Sequence, residues 1–113
     1  MHEQSIVSSL LSMALSDAKK DNAKRIISIK LVVGELTGVE KDAVSFYFGF
    51  MAKDTIAEGA TLDFRYTKPQ LRCRECDIIF PRNKLEFNCP KCNKKAIELV
   101  GGRELYIDSM EVE

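Results

Sequence analysis

The chain has 113 residues, of which 45% are hydrophobic and 30% charged. That balance supports one folded domain, or one with a small satellite, and excludes a disordered chain. Seventeen Lys and Arg offset seventeen Asp and Glu, so no overall charge draws the protein toward nucleic acid or an anionic membrane. No apolar run approaches the roughly 18–20 residues of a membrane span. The first twenty residues, MHEQSIVSSLLSMALSDAKK, lack the basic segment and small-residue cleavage site of a secretory signal, and the expected location is cytoplasmic.

From Gln4 to Lys20, Ile6, Val7, Leu10, Leu11, Ala14, Leu15 and Ala18 recur at helical spacing, with serines and Lys19 on the other face. Next, Ile27, Ile29, Leu31 and Val33 alternate with Ser28, Lys30 and Val32 as a β-strand closed by Gly34. A second amphipathic helix is expected from about Lys41 to Lys53, with Val44, Phe46, Tyr47, Phe50 and Met51 as its apolar surface. Phe48 falls off that stripe and reads as a partner contact. Ala60, Leu62, Phe64 and Tyr66 alternate as a second strand stopped by Pro69. A last strand is expected from Leu105 to Val112.

All four cysteines lie before that last strand, as Cys73-Arg-Glu-Cys76 and Cys89-Pro-Lys-Cys92 with twelve residues between the pairs. Two such pairs place two thiolates each on tight turns, and facing turns complete a tetrahedron around Zn²⁺. Disulfides are disfavoured in a reducing compartment, and a redox CxxC needs one pair, not two. Four thiolates leave no open coordination position, so the zinc is structural. A ribbon this small has little core of its own, chiefly Ile78, Ile79, Phe80, Leu85 and Phe87.

A lone terminal strand needs a partner, and the first two strands offer one. The order therefore predicts an α+β fold, a small two-helix domain with a three-stranded mixed sheet and an inserted four-cysteine zinc ribbon. The domain takes residues 1–70 plus 101–113 and the ribbon residues 71–100. Pro69 stiffens one join, and Gly101-Gly102 is the expected hinge at the other.

His2 is the only histidine. The Met1 amine, the His2 backbone nitrogen and imidazole Nδ1 can close one five-membered and one six-membered chelate ring. That planar nitrogen set suits Ni²⁺ or Cu²⁺ rather than Zn²⁺. Taken alone, the three residues MHE read more readily as an exposed histidine at a chain end.

MHE followed by SIVSSLLSMAL, LVVGELTGVEKDAVSFYFGF, TIAEGATLDF, the paired CxxC and GGRELYIDSMEVE resembles the HypA/HybF family along essentially the whole chain. VGELTGV and GRELYIDSMEVE are its more specific blocks. The resemblance implies a nickel metallochaperone for nickel–iron hydrogenase maturation, not an enzyme. It would hold Ni(2+) at Met1, His2 and Glu3 and Zn(2+) at Cys73, Cys76, Cys89 and Cys92. It also implies delivery to the hydrogenase large subunit together with a GTPase, HypB, by a monomer or weak homodimer that contacts neither nucleic acid nor membrane. Asp77 and Asn93 stand where the family usually has Gly after each CxxC, and both residue types tolerate the left-handed backbone such turns require.

Other features read as structural. The ribbon is locally basic, but Arg72, Arg74, Lys91, Lys94 and Lys95 can offset the two negative charges of a zinc centre with four thiolates. Glu35 and Glu40 read as a solvated loop, and Met13, Met51 and Met110 as packing. Nothing supplies a nucleophile–base pair or a phosphate-binding Gly loop. The alternative function is a zinc-ribbon adaptor for nucleic acid or protein, with His2 incidental.

Overall fold

Ile26–Gly34, reading IISIKLVVG, is rich in β-branched and aliphatic residues on both faces, as expected of a strand with neighbours on both sides. The computed structural model describes residues 3–81 and 88–113. In chain order these form α1 (Glu3–Lys20), β1 (Ile26–Gly34), a 3-10 turn (Glu35–Thr37), α2 (Lys41–Met51), β2 (Thr61–Thr67), β3 (Gln70–Cys73), β4 (Ile79–Pro81), β5 (Ile97–Val100) and β6 (Leu105–Val112). β1 lies between β2 and β6, parallel to the first and antiparallel to the second. β3 lies between β4 and β5 in a separate sheet, antiparallel to both.

The helix ends follow from local chemistry. Glu3 in the first turn of α1 and Lys19 and Lys20 in its last complement the helix dipole. Asn22, at φ 54°, turns the chain away, and the Ala23 N–H donates to Ala18 O at 3.0 Å. The left-handed residue after the helix thus satisfies a terminal carbonyl.

The register of the first sheet builds one apolar face. Ile29 pairs with Leu62 and Met110, Leu31 with Phe64 and Ile107, and Val33 with Tyr66 and Leu105. Ile6, Val7, Leu10, Leu11, Ala14 and Ala18 of α1 and Val44 and Phe48 of α2 pack on that face. On the opposite face Lys30, Asp63, Arg65 and Asp108 border an open recess. One face covered and one solvated is the usual solution for a small sheet with few helices.

Several residues depart from the sequence expectation. α2 buries Val44 and Phe48, whereas Phe46 and Phe50 are 71% and 68% exposed. Val44, Tyr47, Phe48 and Met51 follow the 0, 3, 4, 7 spacing of one helical face, and Phe46 and Phe50 lie on the other. Phe48 is therefore core and not an exposed partner contact. Met13 is exposed, since it follows the serine face of α1. Ile79 is 59% exposed, because the short β4 lies at a sheet edge, while Leu71 on the central β3 is buried. Leu85 and Phe87 lie outside the described residues.

Gly101 and Gly102 have φ of 75° and 87°, and Gly102 is buried. It packs between Gly34 and Pro69, so this end of the connection is a tight crossing of backbones rather than an open hinge. Glu104, two residues on, receives the Thr67 hydroxyl at 2.5 Å and the Arg103 N–H at 2.9 Å. The Thr67 contact leads in holding its carboxyl below the usual carboxylate range. The strand after the second sheet is thereby fastened to the strand before it.

Candidate metal centre

β3 ends on Cys73, whose register partner is Ile97 of β5. The chain then turns tightly. The Asp77 N–H donates to Cys73 O at 2.7 Å, and the Cys73 N–H donates to Ile78 O at 3.0 Å. The second pair repeats both bonds, Asn93 N–H to Cys89 O at 2.8 Å and Cys89 N–H to Lys94 O at 2.9 Å. Asp77 and Asn93 sit at φ 61° and 59°, the left-handed conformation expected of them. Asp and Asn adopt it at lower cost than most side chains.

These two turns bring Cys73, Cys76, Cys89 and Cys92 together, with all four Sγ atoms within 4.8 Å of one another. Cys73 Sγ lies 3.6 Å from Cys92 Sγ, close to the edge of about 3.8 Å for a tetrahedron with Zn–S bonds of about 2.3 Å. Cys73 and Cys89 are buried, and Cys76 and Cys92 are half-buried. None of the four is in a disulfide.

Backbone donors point at the sulfurs. The Cys76 N–H reaches Cys73 Sγ at 3.4 Å, and the Lys91 and Cys92 N–H groups reach Cys89 Sγ at 3.4 and 3.5 Å. Burial pushes the Cys89 thiol up, but the N–H groups of Cys92 and Lys91 outweigh it and bring the thiol down to about 7. Cys76 is pushed up to about 12, first by its hydrogen bond with Cys92 and then by burial. Four thiols this close ionise together only around a cation, and a divalent, thiophilic, tetrahedral ion fits the donor set. Zinc bound there crosslinks β3 to the turn that leads into β5 and supplies folding free energy to the second sheet.

The charges around the centre pair mainly with one another. Arg72 pairs with Glu98, its opposite in the β3–β5 register, and lies 3.6 Å from Asp77. Arg74 lies 3.6 Å from Glu98, and Lys94 lies 3.3 Å from Glu75. Glu75 is the first cause of a raised Lys94 pKa. Arg72 and Arg74, expected to offset thiolate charge, are paired with carboxylates, whereas Lys94 pairs with Glu75 and also feels the charges of Cys92 and Cys76 as expected. Glu98 emerges as the bridge between two arginines. Its role was hidden in the sequence, because only the strand register places residue 98 opposite residue 72.

Glu3 opens α1 and is half-buried. Met1 and His2, its expected companions at a nickel site, lie outside the described residues. Among the described residues, the cysteine tetrad is the cluster of His, Cys, Asp and Glu able to hold a metal.

A two-helix, mixed-sheet fold carrying a four-cysteine zinc ribbon defines a small metal-binding protein. The family model described as "Hydrogenase/urease nickel incorporation, metallochaperone, hypA" matches residues 1–112. A hydrogenase maturation factor HypA of Caldanaerobacter subterraneus subsp. tengcongensis is 39% identical over 114 residues, covering 100% of both chains. One from Dehalococcoides mccartyi (strain ATCC BAA-2266 / KCTC 15142 / 195) is 39% identical over 113 residues, covering 100% of this chain and 95% of that one. The solution structure of the nickel metallochaperone HypA from Helicobacter pylori is 30% identical and superposes with a TM-score of 0.70, covering 99% and 97% of the two chains. A second HypA solution structure, also 30% identical, gives a TM-score of 0.82 over 100% and 97%. This chain belongs to the HypA family of nickel metallochaperones that serve hydrogenase maturation.

Proposed function

We propose that this protein binds Ni²⁺ at Met1, His2 and Glu3 and delivers it to the large subunit of a nickel–iron hydrogenase, with a GTPase of the HypB type as partner. Residues 71–100 act as a zinc ribbon inserted in the nickel-binding domain formed by residues 1–70 plus 101–113. Cys73, Cys76, Cys89 and Cys92 hold the structural zinc. Nickel is cargo, the protein performs no turnover of its own, and the exchange takes place in the cytoplasm. The observation that carries this reading is the family match from residue 1 to residue 112, which includes the Met-His-Glu segment. Among the described residues, no helix is long and apolar enough to cross a membrane.

The chemistry expected at the first three residues follows from their donors. The amine and imidazole must be neutral to bind, with reference pKa values of about 7.7–8.0 and ~6.5. Protons therefore compete with nickel, and binding weakens as the solution is acidified. Equilibrium dialysis with Ni²⁺ tests the site on untagged protein, an N-terminally extended form and His2→Ala. The expected result is stoichiometric binding by the first and loss of tight binding by the other two. Tight, stoichiometric nickel in both altered proteins would remove the site from Met1, His2 and Glu3.

A further inference from the structure

Two phenylalanines on the outward side of α2 are the most exposed large hydrophobic side chains among the described residues, Phe46 at 71% and Phe50 at 68%. Both are held by a neighbour. Phe46 stands edge-on to Tyr47, with ring centroids 5.4 Å apart, and Phe50 lies under Lys53 Nζ. Asp42, Phe46, Phe50 and Lys53 follow the 0, 4, 8, 11 spacing of a single helical face, and all four are exposed. The partner-contact surface expected at Phe48 belongs instead to these two rings.

Beside this ridge runs a furrow. Ser45 and Gly49 form the next i, i+4 row, and with Gly59 and Ala60 they border a recess of about 190 Å³ between α2 and the start of β2. Nothing approaches within 4 Å of where a Cβ on Gly49 or Gly59 would stand. A ridge at i, i+4 spacing next to a furrow of small residues is the relief that receives another helix. A helix also brings no unpaired backbone groups to an apolar ridge, as a strand would.

The two ends of the row carry opposite charge. Asp42 lies in the first turn and Lys53 just past the last, about 16 Å apart along the axis at ~1.5 Å per residue. Neither is in an ion pair among the described residues. Helices favour acidic residues in the first turn and basic residues in the last. Laid antiparallel on α2, such a helix brings its acidic end to Lys53 and its basic end to Asp42. Laid parallel, it brings like charges together, which is costly across an interface. When an i, i+3 ridge enters an i, i+4 furrow the helices cross at about 20°, so both ends stay within reach.

We propose that this face of α2 docks an amphipathic helix of the protein that takes the nickel. The helix lies antiparallel to α2, its apolar stripe on Phe46 and Phe50, its acidic first turn at Lys53 and its basic last turn at Asp42. The inference rests on the metallochaperone reading, in which the cargo passes to a second protein. One face of an 11-residue helix offers less than the roughly 800 Å² per partner of a stable interface. The contact therefore forms and breaks readily, as delivery requires.

The test is an NMR titration of the zinc-loaded full chain with a stapled helical peptide of about 16 residues, the staple holding so short a helix together. The peptide carries a leucine stripe, Glu in its first turn and Lys in its last. It should shift the amides of residues 42–53. A peptide of identical composition with the charged ends exchanged should bind roughly fivefold more weakly at low salt. The double variant Asp42→Lys, Lys53→Glu should invert that preference. Joint replacement Phe46→Ala, Phe50→Ala should weaken the first peptide by about tenfold or more. All four positions are exposed, and thermal melts check that each variant folds. Shifts confined to other surfaces, equal binding of the two peptides, or a preference that the double variant does not invert would overturn the proposal. So would α2 shifts that follow protein concentration and ignore the peptide, which would seat a second copy there. Equilibrium dialysis with Ni²⁺ on the unaltered chain tests the metallochaperone reading separately, so a failure to dock and a failure to bind nickel are told apart.

Discussion

Gly34 lies flush against the Gly102 carbonyl group, with no room for a side chain on the first and a Pro69 Cα 2.8 Å from where a Cβ on the second would stand. The Gly34 N–H donates to Glu104 O at 2.6 Å, and the Leu36 N–H donates to Gly102 O at 2.8 Å. The end of β1 and both connections to the second sheet therefore cross at one point. Gly34→Ala, whose Cβ would overlap the Gly102 carbonyl group, should cost about 3 kcal/mol or more by overpacking, and Gly102→Ala about 1–3 kcal/mol. Gly102→Ala, at positive φ, adds about 1–2 kcal/mol of backbone strain. Gly101→Ala meets nothing nearer than 3.8 Å and should show the strain alone. Urea midpoints of the three variants would test that ranking, and equal shifts would contradict it.

Phe48 and Phe50 make a paired test of the α2 face. Phe48→Ala empties a core position between α1, α2 and the sheet and should cost about 3–5 kcal/mol. Phe50 is largely exposed, with Lys53 Nζ 5.7 Å from its ring centroid. A surface cation–π contact contributes only about 0.5–1 kcal/mol, so Phe50→Ala should change stability by no more than that. Chemical denaturation of both variants decides between the faces.

The left-handed residues after each cysteine pair give a prediction of opposite sign. Asp77→Gly and Asn93→Gly should stabilise the zinc-bound ribbon by about 0.5–1 kcal/mol, since Gly adopts positive φ without a Cβ penalty. Asp77→Val should destabilise it, because a β-branched residue at that φ is strained. Losing the Arg72–Asp77 pair changes little, since Asp77 is 82% exposed there. Zinc release rates in competition with a chelator would reveal the order Gly, Asp, Val from slowest to fastest.

Removing one ligand should separate the two sheets energetically. Cys89→Ala leaves three sulfurs and removes the one that accepts two N–H groups. The second sheet should then lose chemical-shift dispersion while α1, α2, β1, β2 and β6 keep theirs, because zinc supplies most of the folding free energy of so small a ribbon. A ribbon that stays dispersed in the variant would contradict this.

Glu104 links stability to pH at the joint between the sheets. Its folded-state pKa is lowered, first by the Thr67 hydroxyl. The contribution is therefore present above the unfolded value of about 4.3 and is lost as pH falls through the lower folded value. Glu104→Gln should flatten that acid limb and leave stability near neutral pH short of the carboxylate–hydroxyl bond. Thermal melts from acid to neutral pH would show whether the limb moves.

Much of this molecule is set by local pattern. The spacing of Ile6 through Ala18, the alternation of β1 and β2, and the last strand at Leu105 to Val112 correspond to elements within a few residues of expectation. The CxxC spacing likewise brought four sulfurs together, and Asp77 and Asn93 took the conformation their side chains tolerate. These properties depend on neighbours in the chain. Which side of α2 faces inward could not be decided so, because Phe46, Phe48 and Phe50 offer apolar surface on both sides and the sheet chooses among them. The pairing of Arg72 with Glu98 and the crossing of Gly34 with Gly102 join residues distant in sequence. Only strand register and the return of β6 to β1 bring those groups into contact.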